Sequence, residues 1–220
     1  MHRRGFIQAG GSAALTLAVG GCAARMTAAA APTGARRRRV VNLAPVECSM
    51  DRIIRTTVGL RPHRDSGFLL GAERLDGKTV IHHFGHGGAG MSLSWGTAAL
   101  AAELALAHTE RRAAVIGCGI IGLTSARQLQ RRGFDVTIYA MTVPPDTTSN
   151  LSSASFTPTA GLVALERRTP EWDQQFRRAV KIAYLEHQLL AGPRYGVSWI
   201  NEYRLSDDLP TAPPWSPLVD

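Results

Sequence analysis

Cysteine is scarce in this chain, and so is negative charge at its start. The three cysteines, Cys22, Cys48 and Cys118 of 220 residues, are too few and too far apart for a disulfide framework or a cysteine-rich zinc site. No acidic residue precedes Glu47, and the first 39 residues hold seven arginines. Most of the formal net charge of +8 therefore sits in the N-terminal segment. From Val40 to Asp220, 18 basic residues face 17 acidic ones, a net of +1, which removes the main argument for a nucleic-acid partner. Long apolar runs are missing too. The Ala9–Val19 stretch is too short to span a bilayer permanently. What remains is a chain with 45% hydrophobic residues, enough for a globular domain with a core.

The basic start has an order of its own. His2-Arg3-Arg4-Gly5-Phe6-Ile7-Gln8, followed by the short apolar stretch, resembles a twin-arginine export signal. Gly20-Gly21-Cys22 resembles a lipoprotein cleavage site, and Ala28–Ala31 offers ordinary cleavage instead. The expectation is export, to the periplasm or to a membrane through a lipid anchor on Cys22. Residues 1–31 are then a signal peptide. Residues 32–44, with Arg36-Arg37-Arg38-Arg39, form a basic linker.

The strongest motif lies further on. Ala113-Ala114-Val115-Ile116 is an apolar strand, Gly117-Cys118-Gly119-Ile120-Ile121-Gly122 a glycine-rich turn, and a helix follows that stops near Arg131-Arg132-Gly133, a glycine cap. Val136–Ala140 is the next strand. This is the opening of a dinucleotide-binding βαβ unit. Gly117 permits the tight turn, Gly119 lets the backbone approach a pyrophosphate, and Gly122 lets the helix pack closely. Helix N-terminal amides then meet the phosphate charge. An acid about 20 residues on would bond the adenosine ribose, but the chain has Met141-Thr142 there.

A second strand, glycine turn and helix precedes it. Thr79–Phe84 is β-rich and runs into Gly85-His86-Gly87-Gly88-Ala89-Gly90. Met91–His108 is predicted to be a helix, with Ala98, Leu100, Ala101, Leu104 and Ala105 on a packed face. Pro62 biases Arg61 to an extended conformation. Asp51–Ile54 reads as a turn, and Val143–Asn150 as a turn rich in hydroxyls. Glu171–Leu190 is predicted to be an amphipathic helix with Trp172, Phe176, Val180, Ala183 and Tyr184 on one stripe. Gly196–Tyr203 is predicted to be a strand, and four prolines among the last twelve residues exclude a regular element there. His82 and His83 are adjacent on a strand and so face opposite sides. Together with His86 they are expected to be structural, with no metal bound.

These segments resemble the D-amino-acid oxidase family of FAD enzymes, which includes D-aspartate oxidase. The resemblance is carried by Gly59-Leu60-Arg61-Pro62-His63-Arg64, Val80–Gly90 with Trp95-Gly96, Gly117–Gly122 and Pro145-Asp146-Thr147-Thr148-Ser149. It implies an α/β fold: a Rossmann-like FAD-binding domain over residues 45–160 and part of an α+β substrate domain over 161–220. The Arg-Pro and His-Gly-Gly segments precede the nucleotide fingerprint, whereas the family has them at the end of the chain. That order implies a circular permutation joined through Ala107–Arg112 and a chain carrying only part of an oxidase, expected by itself to bind FAD weakly or not at all and to show no oxidase activity.

By the same resemblance FAD is the cofactor and an amino acid the substrate. Arg61, paired with the substrate carboxylate, and Gly88, beside the flavin, are the catalytic positions. Gly87, Gly88, Ala89, Gly90, Met91 and Ser92 lie along the flavin pyrimidine edge. Gly117, Cys118, Gly119, Ile120, Ile121 and Gly122 hold the pyrophosphate, and Thr147, Thr148 and Ser149 bond the phosphate and flavin side. Two alternatives stay open: a non-catalytic flavin-binding fragment, and an NAD-dependent dehydrogenase built on the same βαβ unit.

Overall fold

The computed structural model describes residues 44–158 and 163–203. The chain divides into two units, Met1–Arg52 and Ile53–Asp220. Of the first, the described part ends in a 3-10 turn, Met50–Arg52, one residue earlier than the expected Asp51–Ile54 turn. Arg52 pairs there with Glu47 at 2.7 Å. The signal, Cys22 and the arginine run lie outside the described residues.

The second unit runs β1 (Leu69–Leu75), β2 (Lys78–Phe84), α1 (Gly90–Ala105), β3 (Arg112–Ile116), α2 (Ile120–Gln130), β4 (Asp135–Tyr139) and α3 (Pro170–Leu189). Strands β1 and β2 form an antiparallel hairpin with Leu69 opposite Phe84 and Leu75 opposite Lys78. Asp76 and Gly77 make its two-residue turn, both at positive φ, 48° and 76°, as the twist of a hairpin demands. Strands β3 and β4 pair in parallel, Arg112 beside Asp135 and Ile116 beside Tyr139, joined by α2 as in a βαβ crossover. The fold is mixed α/β, and among the described residues it holds two small sheets, one antiparallel and one parallel.

Helix α1 is the centre. On one side Leu93, Leu100 and Ala101 pack with Phe68 just before β1, with Leu70 of the hairpin and with Phe176, Ala179 and Val180 of α3. On the other, Ala102 and Ala105 pack with Val115, Ala126, Leu129 and Phe134. A helix enclosed on two sides needs small residues nearly all round. The Gly96-Thr97-Ala98-Ala99-Leu100-Ala101-Ala102 run is buried throughout, a wider face than the periodicity indicates. Helix α3 starts at Pro170, one residue before the expected start. The Thr169 hydroxyl accepts the Trp172 amide at 3.2 Å, and proline at the first position costs no hydrogen bond. Phe176, Val180 and Ala183 of its predicted stripe are buried, with Trp172 and Tyr184 half-buried.

The expected strand at Gly196–Tyr203 is not formed. Gly192 accepts the amides of Tyr195 and Gly196 and donates to Val197, with Gly192 and Gly196 at φ 138° and 68°. The segment closes on itself as a turn. Val197 makes only isolated bridges to Ala191 and Gly192, and Trp199, Ile200 and Tyr203 stay exposed, without a neighbouring strand among the described residues.

Candidate functional site

The turn between β3 and α2 is shaped by its glycines. Gly117 sits at φ 105°, a conformation that costs glycine little, and its amide donates to the Tyr139 carbonyl at 2.7 Å. A Cβ on Gly122 would lie 2.1 Å from the Gly117 carbonyl oxygen, so the helix meets its own turn in backbone contact. Gly119 caps α2 in an extended conformation, and a Cβ there would come within 3.1 Å of Ser149 Oγ. Cys118, Ile120 and Ile121 are half-buried. The Ile120 amide donates to Ser149 Oγ at 2.9 Å, which draws the Thr147–Leu151 turn over the start of α2. Thr147 is buried, its hydroxyl donating to Asn150 Oδ1 at 2.8 Å, while Thr148 is exposed.

The second glycine turn arrives at the same place. Gly85 and Gly87 have φ of 85° and 55°, Gly88 is exposed and Ala89 buried. A Cβ on Gly90, the first residue of α1, would be 3.9 Å from Ile120 Cγ2. The two helices therefore begin side by side. The Gly87 amide donates to the Pro62 carbonyl at 3.0 Å, and a Cβ on Gly59 would meet Leu151 and Thr148 at 3.1 and 3.3 Å. Ser92 accepts the Thr157 amide at 2.8 Å and donates to the Ser155 carbonyl at 3.3 Å. Segments 59–64, 85–92, 117–122 and 147–157 thus converge, although nearly 60 residues separate Gly59 from Gly117.

The two arginines of the Arg61–Arg64 segment behave differently. Arg64 folds back, its Nε donating to the Gly67 carbonyl at 3.2 Å and its guanidinium lying over Phe84 at 5.4 Å. Arg61 is exposed, and its side chain makes no hydrogen bond or ion pair among the described residues.

The histidines separate as strand geometry requires. His82 turns to Glu73 at 2.9 Å, whereas His83 turns inward to Ser125 at 2.8 Å. His86 is 1% exposed, meets Thr97 at 3.0 Å and stacks on Phe68. Ser125 and Thr97 give their own protons to the Ile121 and Leu93 carbonyls, so each can only accept from its imidazole. His83 is therefore protonated on Nδ1 and His86 on Nε2. That leaves His83 Nε2 and His86 Nδ1 as buried acceptors with no partner among the described residues. Desolvation lowers His83 to a pKa of about 4. Desolvation, with the charge of His83 second, lowers His86 to about 3. Sequence reasoning placed these rings on a strand and a turn but missed their burial against α1 and α2. The signal was there in the hydroxyls at Thr97 and Ser125, each on a helix that packs against them.

A nucleotide phosphate fits this arrangement. The amides of Gly90, Met91 and Ser92 have no acceptor among the described residues, the first α1 amide to be bonded being that of Leu93, to Ala89. Helix-start amides of this kind favour an anion. A side chain at 119 would press on the Ser149 hydroxyl, and one at 122 on the backbone of the turn itself. The ribose end offers less: Met141 is 99% exposed, and Thr142 beside it brings a hydroxyl in place of a carboxylate. Among the described residues no group of three or more histidine, cysteine or acidic side chains could hold a metal ion.

Two glycine turns that set helix N-termini over a parallel βαβ unit define a nucleotide-binding protein, and comparison with known proteins says of which kind. The model of the FAD dependent oxidoreductase family matches residues 3–104 and 112–208, most of the chain, and the chain belongs to that family. It is 55% identical over 60 residues to a D-aspartate oxidase of Talaromyces thermophilus, covering 27% of this chain and 16% of that protein. It is 44% identical over 68 residues to a D-amino-acid oxidase of Streptomyces coelicolor, covering 31% and 21%. A human D-aspartate oxidase is 53% identical over 55 residues, 23% of this chain and 16% of that protein. These matches span at most about a fifth of the relatives' own lengths. No solved structure matches the chain significantly.

Proposed function

We propose that the chain supplies the cofactor-binding machinery of an FAD-dependent oxidase of the D-amino-acid type. The observation that carries this is the side-by-side start of α1 and α2, with Gly90 against Ile120 and the Thr147–Ser149 hydroxyls above them. The turn Gly117-Cys118-Gly119-Ile120-Ile121-Gly122 and the α2 amides hold the pyrophosphate. Thr147, Thr148 and Ser149 bond the phosphate and flavin side, and Gly87, Gly88, Ala89, Gly90, Met91 and Ser92 line the pyrimidine edge. Arg61, exposed and uncommitted, pairs with the substrate carboxylate, for which its planar fork is suited. When bound, FAD would supply the hydride acceptor for the α-hydrogen of the amino acid; the imino acid formed would hydrolyse, and oxygen would take up the two electrons as hydrogen peroxide. The protein orients the reactants and places helix dipoles at the developing charge. It needs no general base for a neutral amine.

Titration of the chain with FAD, followed by flavin fluorescence, tests the reading. Weak saturable binding that Gly119→Val abolishes is the expected result; binding of NAD with none of FAD would overturn it. Within an active protein that contains this segment, Arg61→Ala should raise KM for D-amino acids, a loss of roughly 2–5 kcal/mol, and Arg61→Lys should restore only part of it.

The permuted order rests on the Arg-Pro and His-Gly-Gly segments preceding the nucleotide fingerprint in the chain. Export rests on residues 1–31 alone. Arg3→Lys with Arg4→Lys should block it, since lysine does not reproduce the paired guanidinium groups. Normal accumulation of the double variant outside the cytoplasm would refute the export reading. Lipidation at Cys22 predicts that Cys22→Ala releases the protein from membranes.

A further inference from the structure

We propose that His187 is a positioning residue for the flavin, acting through the Met91–Ser92 peptide at the start of α1. The proposal rests on the flavin reading above. His187 lies in the last turn of α3, half-buried, its ring edge-on to Phe156 at 5.7 Å. Its Nε2 is 3.2 Å from the Met91 carbonyl oxygen. A carbonyl can only accept, so Nε2 carries the proton. The Ser94 hydroxyl adds a longer bond to the same oxygen at 3.4 Å.

The other end of that peptide unit is the Ser92 amide. It is one of the three α1 amides with no acceptor among the described residues, and it stands where the pyrimidine edge of the flavin would lie. Hydrogen bonds in series polarise one another. A donor on the Met91 oxygen pulls electron density from the Ser92 nitrogen and makes its N–H a stronger donor toward negative charge. Reduction of the flavin places negative charge at that edge, so the effect favours the reduced cofactor over the oxidised one. Helix α3 thereby gains a part in the chemistry through α1.

The Ser92 hydroxyl, bonded to Thr157 and Ser155, keeps the first turn of α1 in place independently of His187. Loss of the imidazole should therefore change polarisation more than position. His187→Leu removes the donor, and His187→Gln keeps an N–H at similar reach. In the chain without cofactor, the Ser92 amide proton resonance should move upfield in His187→Leu and return in His187→Gln. With FAD bound, the preference for reduced over oxidised flavin, read from the reduction potential and the two dissociation constants, should fall roughly two- to fourfold in His187→Leu and recover in His187→Gln. A Ser92 resonance unmoved in a folded His187→Leu chain, or equal losses in both variants, would overturn the proposal. Binding of NAD with none of FAD would instead count against the flavin reading, with the Ser92 resonance still deciding the polarisation.

Discussion

Acidification from pH 7 to pH 4.5 is expected to remove roughly 4–5 kcal/mol of folding stability. The cause is the pair of inward-facing imidazoles, His83 and His86. In the unfolded chain each titrates near its ordinary value of 6.5; in the folded chain desolvation holds them to about 4 and about 3. Between those values the unfolded state binds more protons than the folded one, so stability rises with pH through the window. It is complete above 6.5 and is lost progressively as the pH falls toward 3. Among the described residues the hydrogen-bond partners of the two rings are hydroxyls, and no carboxylate pairs with either. The loss is a large share of a typical domain stability. Glu110 works in a separate window: hydrogen bonding to Arg112 lowers it from 4.5 to about 2, so its contribution persists above 4.5 and fades only below. Urea midpoints measured every half pH unit would show the slope, and His86→Gln, which cannot take up the proton, should flatten part of it. A midpoint constant from pH 6.5 to 4.5 would mean that the rings are hydrated or paired.

The same rings show what a sequence conveys and what it withholds. The βαβ unit was legible because its signals are local: an apolar strand, glycines at fixed offsets, and Gly133 at φ 81° where the cap was expected. Helix α3 was legible from its apolar stripe. Strand β1 was passed over, although Asp76-Gly77 is a strong hairpin signal, because Gly71 and the charged Glu73 and Arg74 dilute its alternation. The Gly196–Tyr203 segment has strand composition, yet a strand needs a partner ladder, and two glycines at positive φ turn it back on itself. The motifs of the site were all visible. Their convergence was not, because contacts such as Gly87 to Pro62 and Ser92 to Thr157 depend on how α1 packs between the hairpin, α2 and α3. The burial that lowers the two histidines comes from the same packing, and so does the meeting of His187 with Met91.

Gly96→Ala should be among the most damaging single substitutions in the described residues. A Cβ on Gly96 would stand 1.8 Å from the Ala179 carbonyl oxygen and 2.9 Å from its Cα, so α1 and α3 touch backbone to backbone with nothing flexible between them. Ala179, Val180 and Ala183 on the facing stretch are fully buried and leave no room for a sideways shift. The helices must separate, opening the core that Leu93, Phe176 and Val180 fill. Overpacking of this kind costs about 3 kcal/mol or more, which for a domain of this size lowers the thermal midpoint by roughly 6–12 °C. Separation of α1 from α3 also draws His187 away from Met91, so whatever flavin affinity the chain has should fall with it. Gly71→Ala is the matched control: a Cβ there meets nothing within 4 Å, and replacing a strand glycine should leave stability unchanged or raise it by roughly 0.5–1 kcal/mol. Thermal melts of the two variants beside the parent decide the matter. Equal midpoints for Gly96→Ala and the parent would show that the two helices pack further apart than described, and the contact of His187 with the first turn of α1 would go with them.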